Sequence, residues 1–90
     1  MPNTRSARKR VRIAERNRLR NKMYKTRIKT AIRRLEDALS GGDDDAIRAA
    51  LRRALSAIDR AAVRGAIHRN TAARKKSRLM QRLKKLGRAS

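Results

Sequence analysis

A chain of 90 residues with 28 Lys and Arg against 7 Asp and Glu carries a formal net charge of +21, far beyond what solubility needs and enough to oppose its own compaction. It has room for one small domain with a modest core, and the absence of cysteine excludes disulfide frameworks, zinc ribbons and thiol catalysis. A polyanion is its natural partner. No run approaches the roughly 20 apolar residues that span a bilayer. MPNTRSARKR has a basic start with no apolar segment behind it, so neither a membrane span nor a secretory signal is expected.

Charge divides the chain into three blocks. Residues 1–34 hold 14 cations and one acid, Glu15; residues 35–64 hold five cations and six acids; residues 65–90 hold nine cations and no acid. In the first block Tyr24, Ile28, Ala31, Ile32, Leu35 and Leu39 recur at steps of three and four, which places them on one face of a helix. Ser40, Gly41 and Gly42 are expected to stop it. Upstream the same face continues through Asn21, Asn17, Ala14 and Arg10, so the apolar stripe fades. The helix itself can continue, because no Gly or Pro interrupts Thr4 to Ser40. At 1.5 Å per residue it reaches roughly 50 Å. Residues 1–23 therefore read as a basic arm and residues 24–90 as a bundle.

The arm, SARKRVRIAERNRLRNK from Ser6 to Lys22, sets cations all around its helix: Arg8, Arg12 and Arg16 to one side, Arg18 and Lys22 to another. Only Glu15 is available to compensate them. A solvated tail is the bland alternative, but single-sign blocks of this density usually act as interaction arms. Such an arm is expected to fray when free and to order on a polyanion.

Asp43, Asp44 and Asp45 open a second helix, one capping free N–H groups and the others opposing the positive end of the dipole. Its apolar face is Ile47, Ala50, Leu51, Ala54, Leu55, Ile58, Ala61 and Ala62, with alanines that permit close approach, and Gly65 ends it. A third helix begins near His68 to Asn70 and presents Ala72, Ala73, Leu79, Met80, Leu83 and Leu86 before Gly87. Beside that stripe runs a basic arc of Arg74, Lys75, Arg78, Arg82 and Lys85, with no acid after Asp59 to mix the signs. Lys76 projects into the apolar arc and is read as an edge residue that buries its stem and extends its ammonium outward. Three amphipathic helices with short turns, and no alternating pattern, predict an all-α antiparallel three-helix bundle with a long protruding first helix.

Catalysis has nothing to stand on. His68 has no second histidine, no cysteine and no carboxylate near it in sequence, which leaves it a capping or partner-facing role. The aspartate triplet lacks the spacing and distal Glu of a calcium loop, and Gly41-Gly42 is not followed by the Lys-Ser/Thr of a phosphate-cradling loop. No cofactor, metal or small-molecule substrate is expected. Tyr24 is the one aromatic residue, so stacking platforms for bases are absent as well. Arg forks and Lys point charges on phosphates, with Asn3, Asn17, Asn21 and Ser6 as short hydrogen-bonders, fit recognition of a folded backbone shape.

Four segments carry a resemblance: NTRSARKRVR at 3–12, RNRLRNK running into the Ile28 to Leu39 stripe, the Gly-Asp break at 42 and 43, and above all GAIHRNTAARKKSRL from Gly65 to Leu79. Together they make essentially the whole chain similar to the small-ribosomal-subunit protein twenty family of bacteria and organelles. The resemblance implies a three-helix bundle with a long protruding first helix, early assembly on small-subunit ribosomal RNA, neighbouring ribosomal proteins as further partners, and a place on the cytoplasmic ribosome. It also implies RNA contacts for Ser6, Arg8, Lys9 and Arg10 in the arm and for His68, Asn70, Arg74, Lys75 and Ser77 at the third helix. The charge pattern adds Arg12, Arg16, Arg20, Lys22 and Arg27 on the first helix, with Asn17 and Asn21 as hydrogen-bonders among them, and Arg78 and Arg82 on the third. The competing readings are an architectural DNA-binding protein of nucleoid type, which shares the charge logic, and a helical adaptor for an acidic protein.

Overall fold

The computed structural model describes residues 4–86, and they form three helices and no strand: α1 (Thr4–Gly41), α2 (Asp44–Val63) and α3 (Arg69–Lys85). The expected hydrogen-bonding role of Asn3 and the expected stop at Gly87 lie outside the described residues. α1 runs unbroken for 38 residues. It includes Ser40 and Gly41, so the break falls at Gly42, whose φ of +75° suits a residue without a side chain and whose N–H donates to the Ala38 carbonyl at 3.1 Å.

Local chemistry fixes both turns. Asp43 is extended at the α2 N-cap, where its Oδ1 accepts from the Asp45 N–H at 3.1 Å while Asp44 and Asp45 face the positive end of the helix dipole. At the other end the Gly65 N–H donates to the Ala62 carbonyl at 3.1 Å and the Ala66 N–H to the Ala61 carbonyl at 2.8 Å, with Gly65 at φ +77°. That is the paired bonding of a Schellman ending, and the buried Ala61 and Ala66 supply its apolar contact. His68 then caps α3, its Nδ1 accepting from the Asn70 N–H at 3.1 Å.

α2 is the central element, with α1 and α3 both packed against it. Leu35 from α1, Ile58 from α2 and Leu83 from α3 are the largest side chains fully enclosed at the core. Ala54 and Ala61 are completely buried and bring the neighbouring helices close, as their small size allows. From Thr4 to Arg20 every residue of α1 is exposed; burial begins at Asn21 and Tyr24 and is complete at Ile28. The molecule is 62 Å long and 22 Å wide, with a radius of gyration of 17.6 Å where a compact chain of this length would have about 12 Å.

The third helix has a narrower apolar seam than its sequence suggests. Ala72, Leu79 and Leu83 are buried, but Ala73 is exposed, Met80 is 38% exposed and Leu86 is 56% exposed. The residues at 72, 79 and 83 turn to the core, with Thr71, Lys75 and Lys76 half-buried at its margins. The Lys76 Nζ reaches across to Asp59 Oδ1 on α2 at 2.9 Å, which places it at the edge of the core with its ammonium paired.

Candidate nucleic-acid interface

The helix phase of α1 sets its polar residues along two edges of the core stripe. Asn17 and Asn21 continue the stripe up the arm, and with Lys22, Lys25, Thr26 and Lys29 along one edge they line a shallow trough. Lys25 and Lys29 then line a second concavity, where Ile28 and Ile32 floor the space and α3 contributes Thr71 and Lys75. The two share those lysines, so one cation-lined surface runs from the arm, along α1, to the start of α3. The Asn21 Oδ1 lies enclosed beside it with no hydrogen-bond partner.

This groove unites Asn17, Asn21, Lys22 and Lys75 of the expected set. Ser6, Arg8, Lys9, Arg10, Arg12, Arg16 and Arg20 are all exposed on the projecting part of α1. Arg74, Ser77 and Arg78 are exposed on α3, beyond the half-buried Lys75. His68 and Asn70 form the α3 N-cap and are exposed there. Arg27 lies on the opposite edge of α1, its guanidinium carbon 5.4 Å from the centre of the Tyr24 ring, within cation–π range. Arg82 is apart from the rest: its Nη1 donates to Glu36 Oε1 at 2.7 Å and ties the end of α3 to α1. Lys25, Lys29 and Thr71 belong to the groove but were not in the sequence-derived set. Their helical phase was readable on α1; the position of α3 beside them was not.

Three of the acids are engaged by contacts within the fold. Asp43 caps α2, Asp59 holds Lys76 and Glu36 holds Arg82, which leaves the outer faces of α1 and α3 dominated by one sign. Among the described residues no three His, Asp or Glu side chains gather to hold a metal ion, and no helix is long and apolar enough to cross a membrane.

A small helical bundle whose cations line a groove and continue along a projecting helix defines the class of basic, polyanion-binding helical proteins. The model of the family described as ribosomal protein S20 matches residues 2–84, and the chain belongs to that family. The small ribosomal subunit protein bS20 of Roseiflexus sp. is 51% identical over 90 residues, covering 100% of this chain and 98% of that relative. The proteins of the same name from Desulforamulus reducens and Thermosipho melanesiensis are 49% and 52% identical over 86 residues each; the first alignment covers 96% of this chain and 98% of the relative, the second 94% of both.

Proposed function

We propose that the chain is a structural component of the small ribosomal subunit that binds small-subunit ribosomal RNA directly and supports assembly of the subunit on the cytoplasmic ribosome. Membership of the S20 family and relatives named as small-subunit proteins support that role. The observation that carries the RNA-binding mechanism is the surface shared by the trough on α1 and the α1/α3 groove, along which Lys22, Lys25, Lys29 and Lys75 are spaced. Cations at that spacing neutralise successive phosphates, and the scarcity of aromatic residues makes the recognition one of backbone shape. Residues 1–23 act as the arm that bridges RNA segments which otherwise repel, and residues 24–90 act as the bundle that docks; neighbouring ribosomal proteins meet the complex at its margins.

A-form RNA offers a wide minor groove lined with 2′-hydroxyls, which duplex DNA lacks. Competition between structured small-subunit RNA and duplex DNA at equal salt tests the assignment. RNA should win, with affinity falling by several powers of ten over a modest salt increase if on the order of ten phosphates are neutralised. Tighter binding to duplex DNA would favour the nucleoid-type reading instead.

A further inference from the structure

α1 and α3 both pack on α2 but not closely on each other, so one side of the bundle stays open as the α1/α3 groove. Its floor is aliphatic. Ile28 and Ala66 are buried beneath it, and Ile32 and Ile67 are half-buried with part of their surface facing the open space. The turn at Ala66 and Ile67 bounds one end. At the other, Arg82 Nη1 reaches from α3 to Glu36 Oε1 on α1 at 2.7 Å and spans the gap between the helices. From Ile28 to Glu36 the distance along α1 is roughly 12 Å at 1.5 Å per residue. The enclosed space is about 390 Å³. That falls within the roughly 300–1,000 Å³ of small-molecule sites.

The rim has one sign. Lys25 and Lys29 approach from α1 and Lys75 from α3, no acid lines the space, and among the described residues none of the three lysines has a carboxylate partner. Thr71, in the first turn of α3, adds a hydroxyl donor near the positive end of that helix. Phosphates need only this rim, and an RNA backbone lying on it makes no use of the isoleucines below. An apolar floor under a cationic rim is complementary to a molecule with the reverse arrangement, an alkyl chain ending in an anion. We propose that the groove binds a medium-chain fatty-acid anion, its carboxylate held by Lys25, Lys29 and Lys75 and its chain laid along Ile28, Ile32 and Ile67. The molecule is a ligand and not a substrate. The site goes beyond the RNA-binding function proposed above and does not depend on it, but the two share their lysines. Ligand and RNA therefore exclude one another from the groove, and the ligand occupies the free chain.

Nitrogen-15 amide spectra of the full-length protein, titrated with octanoate below its micelle concentration, test the site. Octanoate should shift the amides of Ile28, Ile32, Ile67 and Thr71 along a saturating curve. Acetate, which has the head without the chain, and 1-octanol, which has the chain without the charge, should not saturate over the same range. Lys29→Gln with Lys75→Gln should weaken octanoate by about tenfold or more, since two charge-assisted contacts are lost. Lys9→Gln with Arg10→Gln removes the same charge from the arm and should leave the affinity unchanged. Shifts that rise linearly over the whole surface, or equal weakening in the two double variants, would overturn the site, because the anion would then follow net charge alone. Saturating small-subunit ribosomal RNA should suppress the octanoate shifts. If octanoate binds the RNA complex as well as it binds the free chain, the ligand site stands and the placement of RNA in this groove fails.

Discussion

The arm is expected to gain helix when the protein meets RNA, and the size of the gain can be worked from α1. From Thr4 to Arg20 no residue is buried, so nothing tertiary holds that half of the helix. It does not need its own nucleus, because it extends a helix already packed from Ile28 onward. Its stability is thus set by propagation alone, at a small fraction of a kcal/mol per residue. Against it stand like-charge neighbours one turn apart: Arg8 and Arg12, Arg12 and Arg16, Arg16 and Arg20, Arg18 and Lys22. At about 0.2–0.5 kcal/mol for each pair, the repulsion totals roughly 1–2 kcal/mol, and Glu15 offsets only part of it. That exceeds thermal energy, and the arm frays inward from its free end at low salt. Phosphates remove the repulsion. Circular dichroism at 222 nm, with the RNA spectrum subtracted, should show helical signal rising by about a fifth on binding. Salt near 1 M, where the screening length is about 3 Å, should produce part of the same rise without RNA. A free-protein signal at low salt that already equals the bound value would refute the reasoning.

The same geometry sets three further outcomes. Reversing Arg74, Lys75 and Arg78 to Glu together should reduce the slope of log affinity against log salt by about 2–3 while shifting unfolding free energy by no more than about 1 kcal/mol, as read from RNA titrations and thermal melts. A double-mutant cycle on Lys76→Met and Asp59→Ala should give a coupling below about 1 kcal/mol, because the side chains are 39% and 56% exposed and solvent screens the pair. A larger coupling would mean that this ion pair fixes the position of α3. Leu83→Ala, at a residue 1% exposed, should cost about 2–5 kcal/mol in a denaturant titration, a large fraction of the stability of so small a domain.

Features set by neighbouring residues were legible in the sequence. The breaks at Gly42-Asp43 and Gly65, the caps at Asp43 and His68, and the fading of the α1 stripe at Tyr24 all depend on a few adjacent side chains and recur in the structure. Features set by packing were not. The partner of Arg82 is Glu36, 46 positions away, and no local pattern connects them. Met80 has the phase of a core residue if α3 is enclosed broadly, but α3 has a single broad neighbour and leaves it at the margin. Lys25 and Lys29 look like ordinary solvent-facing cations until Thr71 and Lys75 are placed across from them. The pairing of Lys76 with Asp59 was hidden in the same way, since the two lie on different helices.

The placement of charge also bears on how so charged a chain holds together. Among the described residues the buried apolar set has ten members, four of them alanine, so the hydrophobic gain is small for a fold carrying +21. The two ion pairs that join helices, Lys76 with Asp59 and Arg82 with Glu36, both attach α3, the helix with the narrowest apolar seam. Being half exposed, they contribute little stability each, and the buried seam of Ala72, Leu79 and Leu83 decides which face of α3 turns inward and so which cations turn outward. A bound polyanion adds to this stability. A ligand that binds only the folded chain adds about 2.7 kcal/mol at one hundred times its dissociation constant, comparable to the loss of a core side chain. Because phosphates also quench the repulsion that opposes compaction, the RNA both rewards and requires the arrangement of charge that the helices present.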